Sequence, residues 1–243
     1  MPERGQRGAP KGEELPAGIY LVATPIGNLE DISSRQLRIL QECDLVACED
    51  TRRTGLLLSR LAIKKPLLSY HEHNEAARAE ELARRAEEGA RIAVVSDAGT
   101  PGVSDPAYRV VRAAVERGVR VTPVPGPSAV MAALVGSGLP TDRFVFEGFL
   151  PLKGERRARR LQALLEEERT VILFESPHRV AKTLGEVAAR APGRPVALAR
   201  ELTKVYEEFL RGRAADLAAR LKGKSIKGEC VLLIGPKRME ETP

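Results

Sequence analysis

No apolar run in these 243 residues comes near the ~18 that a bilayer-crossing helix needs, which argues against a membrane-spanning protein. The first residues carry charge, glycine and proline but no apolar stretch of the signal-peptide kind. Residues 1–17 therefore read as a loose arm, and 236–243 as a tail. Cysteine is sparse and odd in number (Cys43, Cys48 and Cys230), the usage expected of reduced thiols in a cytoplasmic protein. Asn28 and Asn74 are the only asparagines, and Gln6, Gln36, Gln41 and Gln162 the only glutamines. With abundant Arg and Glu, that composition suits a protein from a warm habitat.

Several familiar signatures are missing as well. No G-x-G-x-x-G follows the first predicted strand, and neither G-x-x-x-x-G-K-[ST] nor G-x-S-x-G occurs, so dinucleotide, P-loop and serine-hydrolase readings lose support. Cys43 and Cys48, with His71 and His73, give C-x4-C and H-x-H spacings without a second matched pair, and no metal site is expected. There is no internal repeat. What remains is a chain that is 43% hydrophobic, enough to bury a core as one large domain or two small ones. Lys and Arg number 39 against 33 acids, and the net charge of +6 leans modestly toward a polyanionic partner such as RNA.

Strand-like runs alternate with helical patterns. Strands are predicted at 18–23, 44–48, 67–70, 91–96 and 119–124, with helices from Ser33 to about Glu42, over Thr51–Leu61, from an Asn74 cap to Gly89, and from Pro106 to near Gly118. That alternation predicts a parallel α/β sheet. PGPSAV (125–130) marks a hinge. A small-residue helix (Ala129–Val135), the strand RFVFEGF, a basic helix over 153–168, the strand TVILFE, a helix from Ser176 and the strand PVALAREL follow. KVYEEFLRG alternates like an exposed strand able to pair antiparallel, LAARLKG is a short helix and ECVLLIG a last strand, so the second sheet should be mixed. The expected domains are 18–124 and 125–235.

Four turns fall just beyond predicted strand ends: TPIGN (24–28), SDAGTPGVSDP (96–106), PGPSAV (125–130) and ESPHR (175–179). Ligands of open α/β sheets bind at that edge, although glycine and proline also build ordinary turns. In order along the chain, TPIGNLEDISSR, CEDTRRTG, SDAGTPGVSDP, PGPSAV, FEGFLP, FESPHR, ARELTKVYEE and KGECVLLI resemble the ribosomal small subunit methyltransferase I family. These are 16S rRNA (cytidine-2′-O)-methyltransferases of the tetrapyrrole methylase superfamily, and the likeness spans about 18–235. The resemblance implies two α/β domains with the donor site in the cleft between them, S-adenosyl-L-methionine as methyl donor, the small ribosomal subunit or its 16S rRNA as substrate, and a homodimer.

Carried over residue by residue, the resemblance implies donor contacts at Ile26, Asp97, Gly99, Thr100, Ser128, Ala129, Phe174 and Leu202. SDAG stands where pigment-making relatives carry a Gly-Asp-Pro run, and that departure separates an RNA-modifying branch from them. A weakly acidic ribose hydroxyl is helped by a positioned base, for which Glu175, Glu201 and Glu147 are candidates; Lys204, also a catalytic candidate, and Arg179 could hold a phosphate or lower a nearby pKa. The basic run Arg156, Arg157, Arg159 and Arg160, and Arg52 with Arg53, are candidate RNA contacts, though each is also an ordinary solvated face. With so few aromatics, RNA recognition is expected to rest on shape, phosphates and splayed-out bases rather than an aromatic platform. A tetrapyrrole methyltransferase and a non-catalytic RNA-binding protein on the same fold stay open as alternatives.

Overall fold

The computed structural model describes residues 14–238. The chain forms two compact units. The first takes residues up to Thr24 and Ile32–Gly126; the second takes Pro25–Asp31 and everything from Pro127 onward. The segment Pro25–Asp31, which the sequence assigns to the first domain, is thus carried into the second.

The first unit runs β1 (Gly18–Val22), α1 (Ser34–Glu42), β2 (Leu45–Cys48), α2 (Thr51–Arg60), β3 (Leu67–Ser69), α3 (Glu75–Glu87), β4 (Arg91–Val95), α4 (Tyr108–Glu116) and β5 (Val121–Val124). Its sheet has the order β3-β2-β4-β1-β5, every neighbour parallel. The continuous apolar runs LVAC and RIAVV suit this, because helices cover both faces. Ile19, Ile92 and Val94 pack with α3 and α4, while Tyr20, Val22, Ala93 and Val95 pack with α1 and α2.

The expected Ser33 cap forms a full capping box. Ser33 Oγ accepts from Gln36 N (3.2 Å), and Gln36 Oε1 accepts from Ser33 N (2.5 Å). The fully buried Gln36 also donates from Nε2 to the Ala23 carbonyl at 2.6 Å, tying the start of α1 to the chain just past β1.

Four local expectations are corrected. The Asn74 side chain does not cap α3; its Oδ1 accepts from His71 N at 2.8 Å and closes the preceding turn. Helix α4 begins two residues after Pro106, at Tyr108. The helix expected from Ser176 begins at Val180, because 176–179 form a turn first. Of the arm, residues 1–13 lie outside the described residues, but Leu15 is buried against β1 and the Tyr20 hydroxyl donates to Pro16 O at 2.5 Å. Of the tail, 239–243 likewise lie outside.

The second unit contains α5 (Ala129–Gly136), β6 (Phe144–Phe149), α6 (Gly154–Leu165), β7 (Thr170–Glu175), α7 (Val180–Arg190), β8 (Pro195–Arg200), β9 (Glu208–Arg213), α8 (Ala214–Leu221) and β10 (Cys230–Ile234). The sheet order is β6-β7-β10-β8-β9. Only β6 and β7 pair in parallel, so the sheet is mixed as expected. Alternation sorts its side chains: Cys230, Leu232 and Ile234 join α6, α7 and α8 on one face, while Val231 and Leu233 face α5.

Gln36→Leu keeps most of the volume but leaves the Ala23 carbonyl buried without its donor. We expect a loss of ~1–3 kcal/mol in unfolding free energy, read from urea denaturation with an unchanged slope.

Candidate functional site

In the first unit, β1 and β4 lie side by side, yet the helices that follow them, α1 and α4, pack on opposite faces of the sheet. Outgoing loops diverge at such a point and leave a crevice at the carboxyl edge. Here the crevice is framed by two backbone hydrogen bonds, Thr24 N to Gly99 O (2.9 Å) and Gly99 N to Thr24 O (3.0 Å). Thr24 Oγ1 adds a bond to Ser96 O at 3.1 Å. Gly99 sits at φ +87°, a conformation that disfavours any side chain. Thr100 lies beside it and accepts Val103 N at its carbonyl.

Asp97 follows β4 and is partly buried. Its Oδ1 accepts from Asp50 N (3.2 Å), its Oδ2 pairs with Arg53 (3.1 Å), and its own N–H donates to Glu49 Oε1 (3.3 Å). Glu49 and Asp105 complete an acidic group that the motif reading did not single out. Burial raises Glu49 above the usual carboxylate range, with Asp97 and Glu72 adding to it. Burial pushes Asp105 up to about 7, helped by Glu49 and Asp97 and opposed by a hydrogen bond from Ser96. With α4 starting at Tyr108 and capped at Ala107, Asp105 lies in the loop before the helix.

The second unit gathers four of the residues implied as donor contacts. Ile26, Leu202, Ala129 and Phe174 belong to one apolar cluster with Val130, Leu134 and Val231. Ser128 caps α5, its hydroxyl accepting from Met131 N at 3.4 Å. Gly27 lets the 25–31 turn close on the 201–204 turn: a Cβ there would stand 2.4 Å from Lys204 Cγ and 3.0 Å from Leu202 O. Leu202 is flanked by two non-glycine residues at positive φ, Glu201 (+50°) and Thr203 (+64°). Such strain is held where the surroundings over-determine it, often at functional turns. Thr203 Oγ1 is buried with no hydrogen-bond partner among the described residues.

The acids proposed as bases are occupied. Glu175 has a side chain only 1% exposed; it pairs with Arg179 (3.1 Å), accepts from Thr183 Oγ1 (2.6 Å) and lies 3.9 Å from Arg157. It is not accessible to a substrate hydroxyl. Glu201 is bonded to Lys204 Nζ (2.9 Å) and to Glu229 N (3.0 Å), which hold its carboxyl below the usual range, and it is thereby a poor base. Burial works against the Lys204 charge, but Glu201 and Glu229 outweigh it and raise the amine, so this cation is already matched. Glu147 sits at a bulge in β6 and is ion-paired with Arg160.

The basic run divides in the same way. Arg157 is turned inward, 4% exposed, and pairs with Glu186 at 3.0 Å, so it is removed from the RNA-facing set. Arg160 is committed to Glu147, whereas Arg156 and Arg159 are exposed and in no ion pair among the described residues. Arg52 pairs with Asp50, holding that carboxyl down to about 2, and Arg53 pairs with Asp97. Both arginines are exposed, and exposed pairs contribute only ~0–1 kcal/mol, so either can exchange partners.

Because the Asp105 carboxyl titrates near 7 when folded rather than near its ordinary 3.8, the folded form holds the proton more tightly than the unfolded one. Its burial therefore costs stability progressively as pH rises from about 4 through 7. Asp105→Asn should be more stable than the parent at pH 8, with the gap closing toward pH 4, in paired urea titrations.

The model of the Tetrapyrrole (Corrin/Porphyrin) Methylases matches residues 18–218. A protein called ribosomal RNA small subunit methyltransferase I from Synechocystis is 48% identical over 226 residues, covering 93% of this chain and 81% of that one. The protein of the same name from Thermotoga maritima is 44% identical over 219 residues, covering 90% and 98%. Among solved structures, diphthine synthase superimposes with a TM-score of 0.71 at 17% identity over 91% of each chain. Uroporphyrin-III C-methyl transferase from Thermus thermophilus, complexed with S-adenyl homocysteine, gives 0.63 at 19% identity over 90% of this chain and 97% of that one. The chain belongs to the tetrapyrrole methylase family and, within it, to the ribosomal RNA small subunit methyltransferase I group.

Proposed function

We propose that this chain is an S-adenosyl-L-methionine-dependent methyltransferase acting on the ribose 2′-hydroxyl of a cytidine in the decoding region of 16S rRNA. The observation that carries the reading is the gathering of Ile26, Ala129, Phe174 and Leu202 into one apolar cluster, from four separate stretches of sequence. Kinship with the ribosomal RNA methyltransferases supplies the substrate class.

The residues present fit the donor. The apolar cluster suits an adenine ring. Thr203 Oγ1, buried without a partner next to Leu202, offers it a hydrogen bond. Asp97 suits an ammonium group, since its exposed Arg53 partner is readily exchanged. Gly99 and Thr100 in the first unit, and Ser128 in the second, offer backbone and hydroxyl groups to a polar ligand. When bound, the donor supplies a methyl group already activated on a sulfonium. What the chain must add is alignment and exclusion of water, and orientation can lower a barrier by ~7–11 kcal/mol. Lys204 and Glu201 serve this by clamping the turn that carries Leu202. Glu175 serves it by fixing Arg179 and Thr183 below the loops rather than by taking a proton.

The same reading makes the small ribosomal subunit or its 16S rRNA the partner, in the cytoplasm, with two copies of the chain forming a homodimer. Met131 and Val135, one turn apart on α5 and 48% and 71% exposed, offer a second copy an apolar stripe.

The test follows a labelled donor methyl into small-subunit RNA and then applies alkali. A 2′-O-methyl ribose cannot assist cleavage of its own phosphodiester, so label in an alkali-resistant dinucleotide is expected. Label in a porphyrinoid, or nowhere, overturns the reading. Gly99→Val should weaken donor binding at least tenfold by calorimetry while the far-ultraviolet dichroism of the fold is retained.

A further inference from the structure

Resting on that reading, we infer that Phe149 and Leu152 form a stacking platform for an unpaired RNA base, flanked by Lys153, Arg156 and Arg159 as phosphate contacts. Phe149 ends β6 with 58% of its surface exposed, and Leu152, three residues on, is 75% exposed. Large apolar side chains exposed this far, three residues apart on one loop, call for a partner. The Phe149 ring is backed from inside: it leans on Phe174 at 5.7 Å between centroids, and Phe174 in turn meets Phe146 edge-on at 4.9 Å. A ring so supported keeps its position while more than half of it stays open.

The loop that carries this pair is held rigid from below. Arg179 Nη2 donates to Leu150 O (3.0 Å), and Arg157 Nη1 donates to Pro151 O (3.1 Å). Both arginines converge on the buried Glu175, which also takes the Thr183 hydroxyl. Two consecutive carbonyls are thus fixed by charged donors, which are the stronger hydrogen bonds. The outward side chains on either side, Phe149 and Leu152, are presented by a loop with little freedom. Glu175 and Arg157, candidates for base and phosphate contact in the sequence, are positioning residues here.

The occupant is chosen by charge. Immediately after the apolar pair come Lys153, Arg156 and Arg159, all exposed and none ion-paired among the described residues; Glu155 is the single acid of α6. Residues 156 and 159 lie three apart and share a helix face. A second copy of this chain, or an acidic protein, would bury those cations against partners of its own. A single strand with a phosphate at every nucleotide and an unstacked base matches both halves of the surface, and base-on-aromatic stacking is tolerant of sequence. The scarcity of aromatics therefore does not exclude a platform; one well-placed ring suffices.

The chain contains no tryptophan, so Phe149→Trp introduces a single tryptophan, excited selectively over the tyrosines, that retains a stacking face. We expect its emission to be quenched by a short single-stranded oligoribonucleotide and left unchanged by inorganic polyphosphate. Phe149→Ala should raise the KM for small-subunit RNA about tenfold, the scale of one lost stack, with kcat changed much less; Phe149→Trp should restore it. Wild-type KM in Phe149→Ala, or emission indifferent to RNA, overturns the inference. So does a change of oligomeric state in Phe149→Ala and Leu152→Ala by sedimentation with RNA KM unaltered, which would make this face a protein interface. Failure of the parent chain to methylate RNA at all is a separate result and falls on the function, not on the platform.

Discussion

Two backbone hydrogen bonds between Thr24 and Gly99 hold the carboxyl edge of the parallel sheet together after its strands have ended. They fix the loop after β1 against the loop after β4 at the point where the following helices part to opposite faces. Everything proposed for that edge depends on them. They place Asp97 and Thr100 on either side of a glycine whose positive-φ backbone disfavours any side chain. They also set where the chain leaves the first unit, since Pro25 follows Thr24 directly and carries Ile26 into the apolar cluster of the second. Gln36 reinforces the same edge by bonding the Ala23 carbonyl from the start of α1.

The second unit is organised around a buried charge. Glu175 is almost wholly withdrawn from water and keeps its ionic partners close: Arg179, Arg157 and the Thr183 hydroxyl. A buried carboxylate is tolerated only when its lone pairs are satisfied, and breaking one partner of such a group costs several kcal/mol, about 3–5. The arrangement is useful beyond charge balance, because both arginines have donors left over. Those donors reach the carbonyls of Leu150 and Pro151, so the loop that leads into the basic helix inherits the rigidity of the core.

Methyl transfer from an activated donor asks more for alignment than for acid–base power, and the molecule is built accordingly. Glu147, Glu175 and Glu201 are each tied to a cation. The pairing with Lys204 holds Glu201 below the usual carboxylate range and makes it a weak proton acceptor, and all three carboxylates are good struts. The acids that are instead pushed upward, Glu49 and Asp105, stand beside Asp97 in the first unit, where burial and mutual repulsion act together. The strained Glu201–Thr203 turn and the close approach of Gly27 to it belong to the same economy of fixed positions.

The alternation of strands and helices, the parallel first sheet, the mixed second sheet and the ordered motifs were all legible in the sequence, because hydrophobic period and turn chemistry are local properties. The resemblance alone named Ile26, Ala129, Phe174 and Leu202 as expected donor contacts; that they share one apolar cluster is a fact of the tertiary structure. Which ionisable side chains are free was not legible. Arg156, Arg157, Arg159 and Arg160 are neighbours in one basic run, but helical geometry sends Arg157 to Glu186 and Glu175, Arg160 to Glu147, and leaves the other two in solvent. Pro106 reads as the first helical position until the helix is found to start at Tyr108. Phe149 and Phe174 are equal as letters, and only their different burial distinguishes an exposed ring from its support. The sequence by itself determined the elements and their order, since these follow from each residue's near neighbours. Charge pairing and exposure within the basic run were decided by the tertiary structure, because Arg157 and Arg160 find their partners on other elements, at Glu186 and Glu147, rather than among near neighbours in sequence.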